Sequence, residues 1–151
     1  MTDQFSDHIV PGHTDLTDRF ACKKGILSKL SSVSKEFEDC IWKRLKNENL
    51  VGEYELRSGN FERIETIQFA DDYDIVSHRL KPLIETTGKV LLTWHSGIDP
   101  IVTDTATFVD NWDNFYYPSS DDLVVISESW DWIAYFAHYE TLFLGQGVIS
   151  S

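Results

Sequence analysis

Between Asn111 and Gly145 the chain reads Trp112, then Phe115-Tyr116-Tyr117-Pro118-Ser119-Ser120-Asp121-Asp122-Leu123-Val124-Val125-Ile126, and after a short acidic break Trp130, Trp132, Tyr135, Phe136, Tyr139 and Phe143. The stretch contains no lysine or arginine. Leu123–Ile126 is an uninterrupted apolar run, with the turn formers Pro118-Ser119-Ser120-Asp121 before it and Ser127-Glu128-Ser129 after it. A run that short and that apolar predicts a strand buried on both faces. Beyond the break the period is two: Trp130, Trp132, Ala134 and Phe136 point one way, Ile133 and Tyr135 the other. Trp130 to Leu144 is too long for one ordinary strand, so a turn near His138–Glu140 divides it. This half reads as strand-rich, with an aromatic core and an acidic edge facing outward.

Working outward, Gly88 precedes Val90-Leu91-Leu92-Thr93-Trp94, a second inner strand that ends at His95-Ser96-Gly97. Thr105 is placed to cap a short helix that buries Ala106, Phe108, Val109 and Trp112 and leaves Asp110 and Asp113 outside. From Leu50 to Phe69 the pattern alternates: Val51, Tyr54 and Leu56, then Ile64, Ile67 and Phe69, on either side of Arg57-Ser58-Gly59-Asn60. That predicts a hairpin. Asp71 or Asp72 then caps a helix through Tyr73, Ile75, Val76, Arg79 and Leu80, which Pro82 stops or kinks. The clearest helix runs from about Ser34 to Asn47. Ser34 is its N-cap, and Glu36, Glu38 and Asp39 suit the first turn. Lys43, Arg44 and Lys46 suit the last turn, and Phe37, Ile41 and Leu45 form the apolar stripe, with Cys40 beside it. Ile26, Leu27, Leu30 and Val33 suggest a shorter helix after Gly25. Residues 1–20 are polar, carry Pro11-Gly12, and predict a flexible N-terminal arm with His8 and His13 in solvent.

These elements predict one α+β domain over residues 1–151. It should have about five mostly antiparallel strands, with two to four helices packed on the sheet. The expected core is Phe37, Ile41, Leu45, Tyr54, Ile67, Val90, Leu92, Phe108, Val124, Ile126, Ile133 and Phe143. At 151 residues such a core needs neither disulfide nor metal.

The formal charge is −12 and unevenly spread. Lys89 is the last basic residue; residues 90–151 carry nine acidic side chains and no lysine or arginine, whereas residues 1–89 carry 13 basic and 16 acidic. A one-signed field of this kind repels nucleic acid and anionic lipid and attracts basic proteins. Cys22 and Cys40 make no CxxC motif, and no His/Cys cluster has zinc spacing, so two free, buried thiols are expected. The start of the chain has neither the basic nor the apolar region of a signal peptide, and no apolar run approaches a membrane span. A cytoplasmic protein without cofactor or metal is the resulting expectation.

Catalytic motifs are weak. Ser96 stands beside His95, but a triad requires convergence in space, and there is no G-x-S-x-G elbow. Asp121 and Asp122 with Asp110 and Asp113 suggest a metal or acid/base cluster, yet nothing matches a spaced calcium loop, and Ser119-Ser120-Asp121-Asp122 are all turn or capping residues. No glycine-rich phosphate loop is present.

The series Trp112-x-x-Phe115-Tyr116-Tyr117-Pro118-Ser119-Ser120-Asp121-Asp122-Leu123-Val124-Val125, followed by the Trp/Tyr-rich strand, His138-Tyr139-Glu140 and Phe143-x-Gly145, resembles small acidic immunity proteins of bacterial toxin–immunity systems. These include the inhibitors of contact-dependent growth inhibition and related polymorphic toxins. The resemblance covers roughly the C-terminal quarter to third of the chain. It implies a cytoplasmic antidote that covers the active site or an essential surface of a cognate toxin domain, often a basic nuclease. Family contact residues do not carry over, because immunity contacts vary with each partner. From charge and aromatic interleaving, the expected partner-binding residues are Asp110, Asp113, Asp121, Asp122, Glu128, Trp130 and Asp131. Two other classes remain: a small hydrolase or metal-dependent enzyme using His95, His138 and nearby carboxylates, and an acidic adaptor or regulator.

Overall fold

The computed structural model describes residues 4–10, 16, 18–21, 23–85, 88–95 and 98–149. Its centre is strand β5, Leu123–Ser127, all five residues of which are buried. β5 lies between β3 (Lys89–Trp94) and β6 (Trp132–Ala137) in a seven-stranded sheet of order β1-β4-β3-β5-β6-β7-β2, in which every neighbouring pair is antiparallel. The others are β1 (Ser31–Ser32), β2 (Phe61–Gln68), β4 (Ile101–Asp104) and β7 (Thr141–Val148). Because side chains alternate across a strand, β5 feeds two cores. Leu123 and Val125 join Val90, Leu92, Ala134 and Phe136 on one face. Val124 and Ile126 join Leu91, Ile133 and Tyr135 on the other.

Each core has its own helical cover, making a three-layered α+β domain. On the first face lie α3 (Asp74–Leu80), α4 (Thr105–Asp110) and α5 (Trp112–Phe115), contributing Val76, Leu80, Phe108, Val109, Trp112 and Phe115. One-turn α1 (Lys24–Leu27) adds half-buried Ile26 and Leu27 at their margin. On the second face α2 (Lys35–Asn47) lays down Phe37, Ile41 and Leu45. Its start follows the capping rule: the Ser34 hydroxyl accepts the Phe37 amide at 3.2 Å. Before α3 the N-cap position is Tyr73, which makes no side-chain cap bond, and the Asp72 carboxylate accepts the Asp74 amide at 3.1 Å. The α-helix stops at Leu80, two residues before Pro82, and a 3-10 turn over Lys81–Glu85 carries the chain on.

Several expectations change. The sheet has seven strands and the described residues hold five α-helices, against about five and two to four. β1 and β4 are short enough to carry little periodicity. The expected hairpin across Arg57–Asn60 does not form. Val51 and Leu56 make a single bridge, and β2 pairs with β7, as Ile67 opposite Leu142 shows. Alternation reveals which side of a strand is buried but not which strand lies beside it. Tyr54, freed from that hairpin, is 40% exposed rather than in the core, and Phe143 is only half-buried. Trp130 leaves the Trp132–Ala134–Phe136 side because its φ of 62° interrupts the alternation, and it packs against the opposite core. Cys40 is free and exposed rather than buried.

The described residues among the first twenty are also less loose than expected. Phe5, Leu16 and Phe20 are fully buried, and Phe5 meets the Phe37 ring edge-on at 5.8 Å. His8 is half-buried, stacked on Phe37 at 3.7 Å. Pro11, Gly12, His13, Cys22, Ser96 and Gly97 lie outside the described residues.

Truncating Ile126 to alanine is expected to cost about 2–5 kcal/mol in denaturant unfolding, from lost transfer energy plus a residual cavity. Gly145→Ala is expected to destabilise by about 1–3 kcal/mol as overpacking. The added Cβ would stand 2.6 Å from the Phe61 ring.

Candidate functional site

The seven residues expected to bind a partner divide between opposite ends of the sheet. Asp121 and Asp122 precede β5, whereas Glu128, Trp130 and Asp131 occupy the turn after it. Four of the seven, Asp121, Asp122, Glu128 and Trp130, are committed internally. Asp121 is 2% exposed and accepts both Arg19 guanidinium nitrogens, at 2.5 and 3.2 Å, and the Tyr117 amide at 2.8 Å. Arg19 also donates to the Phe115 carbonyl at 3.0 Å and lies 3.8 Å over the Tyr117 ring. Asp121 therefore fastens the N-terminal segment to the turn before β5 and is not open to a partner. Glu128 accepts the Phe5 amide at 2.7 Å. Trp130 lies beneath the Arg44 guanidinium at 3.8 Å. Asp131 is exposed, with the Ser129 hydroxyl on its carboxylate at 2.9 Å. Asp110 and Asp113 are exposed on α4 and α5.

Asp122 leads to the better-built end. Its carboxylate accepts the His138 amide at 2.8 Å and stands 3.0 Å from the His138 Nδ1, while its carbonyl accepts the His95 amide at 3.1 Å. His138-Tyr139-Glu140 is the β6–β7 turn, anchored on all sides. The Tyr116 hydroxyl donates to the Ala137 carbonyl at 2.5 Å, and the His138 carbonyl accepts the Ser119 amide at 2.9 Å. The Glu140 carbonyl accepts the Phe69 amide at 3.0 Å, and the Glu140 carboxylate accepts the Tyr73 hydroxyl. Glu140 is held at φ 58°, a left-handed conformation that costs a non-glycine residue about 1–2 kcal/mol.

Aromatic groups collect around this turn. Tyr139 is 51% exposed, and its hydroxyl donates to the Tyr54 carbonyl at 3.1 Å. The Tyr54 ring meets His138 at 5.2 Å and His95 at 6.3 Å, both edge-on. Glu53 and Glu55 flank Tyr54 and are exposed. On the other side of the turn, Tyr73 stacks on Trp112 at 5.5 Å, which brings the β2–α3 loop, with Asp71 and Asp72, and the start of α3, with Asp74, beside α5 and Asp113. Burial and the Glu140 carboxylate push the Tyr73 hydroxyl up to about 12, and burial, with Glu55 and Asp122 nearby, raises that of Tyr139. Tyr54 escaped sequence reasoning because alternation assigned it to the core. The His138-Tyr139-Glu140 turn was legible as a strand break and as part of the resemblance, but not as a candidate site.

Next to this turn, Lys35, Glu38, Asp39, Trp42, Lys46 and His95 line a cleft of about 380 Å³ between α2 and β3. Buried Glu38 bridges Lys35 at 2.7 Å and the Thr93 hydroxyl at 2.5 Å, and Thr93 accepts the Trp42 indole at 3.0 Å. His95 Nε2 is 2.8 Å from the Tyr135 hydroxyl. Desolvation lowers the His95 pKa; Asp122 opposes this and Lys46 adds to it. The structure thus brings His95, His138 and Asp122 together. Among the described residues no group of three or more His, Cys, Asp or Glu is arranged to hold a metal ion, and no helix is long and apolar enough to cross a membrane. The chain matches no protein-family model and no curated protein.

Removing Arg19 should leave Asp121 as an uncompensated buried charge. Arg19→Met is expected to cost about 3–5 kcal/mol in denaturant unfolding, with partial recovery when Asp121→Asn is added. The lowered His95 pKa means that the unfolded chain binds more protons than the folded one below the ordinary histidine value of 6.5. This contribution to stability is complete above that value and is lost as pH falls through the window below it. His95→Gln is expected to flatten the dependence of Tm on pH between about 7 and 5 relative to wild type.

Proposed function

We propose that this chain is an acidic binding protein that neutralises a basic toxin domain by covering its active site or substrate-binding surface, and that it performs no chemistry itself. The observation that carries the reading is the gathering of acidic side chains from both halves of the sequence at one end of the sheet. Asp71, Asp72, Asp74 and Asp113 lie on one side of the β6–β7 turn, and Glu53 and Glu55 on the other. None of the six forms a salt bridge to a described residue. A toxin that grips phosphate must be basic at that surface, so a fixed array of carboxylates is complementary to it. Long-range attraction also speeds encounter, which suits an inhibitor that must act before the toxin does.

The enzyme reading draws on the meeting of His95, His138 and Asp122 beside the cleft. Against it, His95 Nε2 and the His138 Nδ1 already face Tyr135 and Asp122. Of the two carboxylates that line the cleft, Asp39 is exposed and Glu38 is satisfied by Lys35 and Thr93.

Co-purification with the polypeptide encoded immediately upstream, and protection of cells from it, are the expected results. Turnover of a small substrate that disappears in His95→Gln, with no protein partner recovered, would replace this reading with the enzyme. Within the complex, the triple variant Asp72→Lys, Asp74→Lys and Asp113→Lys is expected to slow association about tenfold or more at low salt and to weaken its salt dependence, with dissociation little changed. Asp131→Lys, at the opposite end, is expected to have a smaller effect in the same stopped-flow measurement.

A further inference from the structure

Electrostatic attraction accounts for encounter but not for a long-lived complex, which needs desolvated anchors. We infer that Tyr139 and Tyr54 are those anchors, forming a docking surface for arginine or lysine side chains of a basic partner segment. This deepens the proposed function and rests on it.

Three observations converge. First, Tyr139 and Tyr54 are 51% and 40% exposed, an unusual state for large aromatic side chains in a chain that buries most of its others, and they lie against one another through the Tyr139 hydroxyl and the Tyr54 carbonyl. Second, their support is rigid. The backbone on both sides of Tyr139 is held by Tyr116, Asp122, Ser119 and Phe69, and Glu140 keeps its left-handed φ while bonded to Tyr73. A side chain presented on so constrained a turn loses little further backbone freedom on binding, so more of its contact energy appears as affinity. Backbone strain retained by surrounding bonds is also common at ligand clamps. Third, the surrounding charge chooses the occupant. Glu53 and Glu55 flank Tyr54, and Glu55 and Asp122 both act on the Tyr139 hydroxyl. A guanidinium or ammonium can lie on a tyrosine face while donating to a neighbouring carboxylate, combining cation–π attraction with a charge-assisted hydrogen bond. The chain itself uses such a ring contact at its other end, where Arg44 covers Trp130.

The test uses the full-length chain, isotopically labelled and titrated at low salt with an arginine–glycine repeat peptide. The expected shifts concentrate on Glu53–Glu55, Asp122 and His138–Glu140. Binding should weaken at least tenfold in the Tyr54→Ala/Tyr139→Ala double variant and survive in Tyr54→Phe/Tyr139→Phe, which keeps the rings. Shifts confined to Asp71–Asp74 and Asp113, or affinity unchanged by loss of both rings, overturn the assignment. An unchanged unfolding midpoint shows that the double variant is folded; if it is not, Glu53→Lys/Glu55→Lys replaces it with the same expected loss. The outcome is separable from the toxin reading. A recovered partner that dissociates no faster from the double alanine variant removes the anchors and leaves the reading. Peptide binding at the tyrosines with no protein partner recovered removes the reading and leaves the surface.

Discussion

The constraint on which this structure depends is the burial of β5 on both faces. A strand reading Leu-Val-Val-Ile-Ser has no polar side to turn toward water, so each face must be covered by its own apolar layer. An antiparallel sheet often leaves one face solvated; this one does not. The requirement extends outward through β3 and β6, whose residues are almost all buried, and it is met by α2 on one face and by α3, α4 and α5 on the other. The N-terminal segment belongs to the same scheme. Phe5 enters the α2 core and Phe20 the opposite one, so the chain's start helps to seal both faces.

Because the helices occupy the two faces, the surface where loops meet lies at the ends of the strands. The two ends are not equivalent. At the β5–β6 turn the acidic residues are engaged locally, Glu128 with Phe5 and Asp131 with Ser129. At the β6–β7 end the polar groups bond mainly to backbone, and this bonding organises the turn itself while leaving the tyrosine rings outside. The Arg19–Asp121 pair supports that end from beneath, joining the N-terminal segment to the loop before β5. A buried pair of this kind contributes more to defining one arrangement than to net stability, since much of its attraction offsets desolvation.

The electrostatic character of the chain follows from the same division. Among the described residues Arg19, Lys35, Arg44, Arg79 and Lys89 are each paired with a carboxylate, which takes up five of the thirteen lysines and arginines. What remains is an excess of unpaired carboxylates, and at the β6–β7 end these surround exposed aromatic rings. In the proposed function, charge of one sign at this rim attracts a protein of opposite charge and the aromatic side chains inside it hold that protein.

The sequence by itself determined the inner strands, the capped helix after Ser34, the division of the last segment at His138–Glu140 and the acidic character of the chain. Each is written in local information: an apolar run, a side chain that bonds three residues on, a length limit, a count of charges. Tertiary structure alone decided the rest. β2 pairs with β7 because a strand's partner is chosen by packing across some eighty positions of chain, and no local pattern carries that choice. For the same reason Tyr54, which alternation assigns to the core, stands in solvent beside Tyr139. Asp121, which charge alone assigns to the surface, is buried because Arg19, a hundred and two residues earlier, folds back onto it. Whether a carboxylate ends up exposed or buried depends on which side chains fold onto it, and only the tertiary structure decides that.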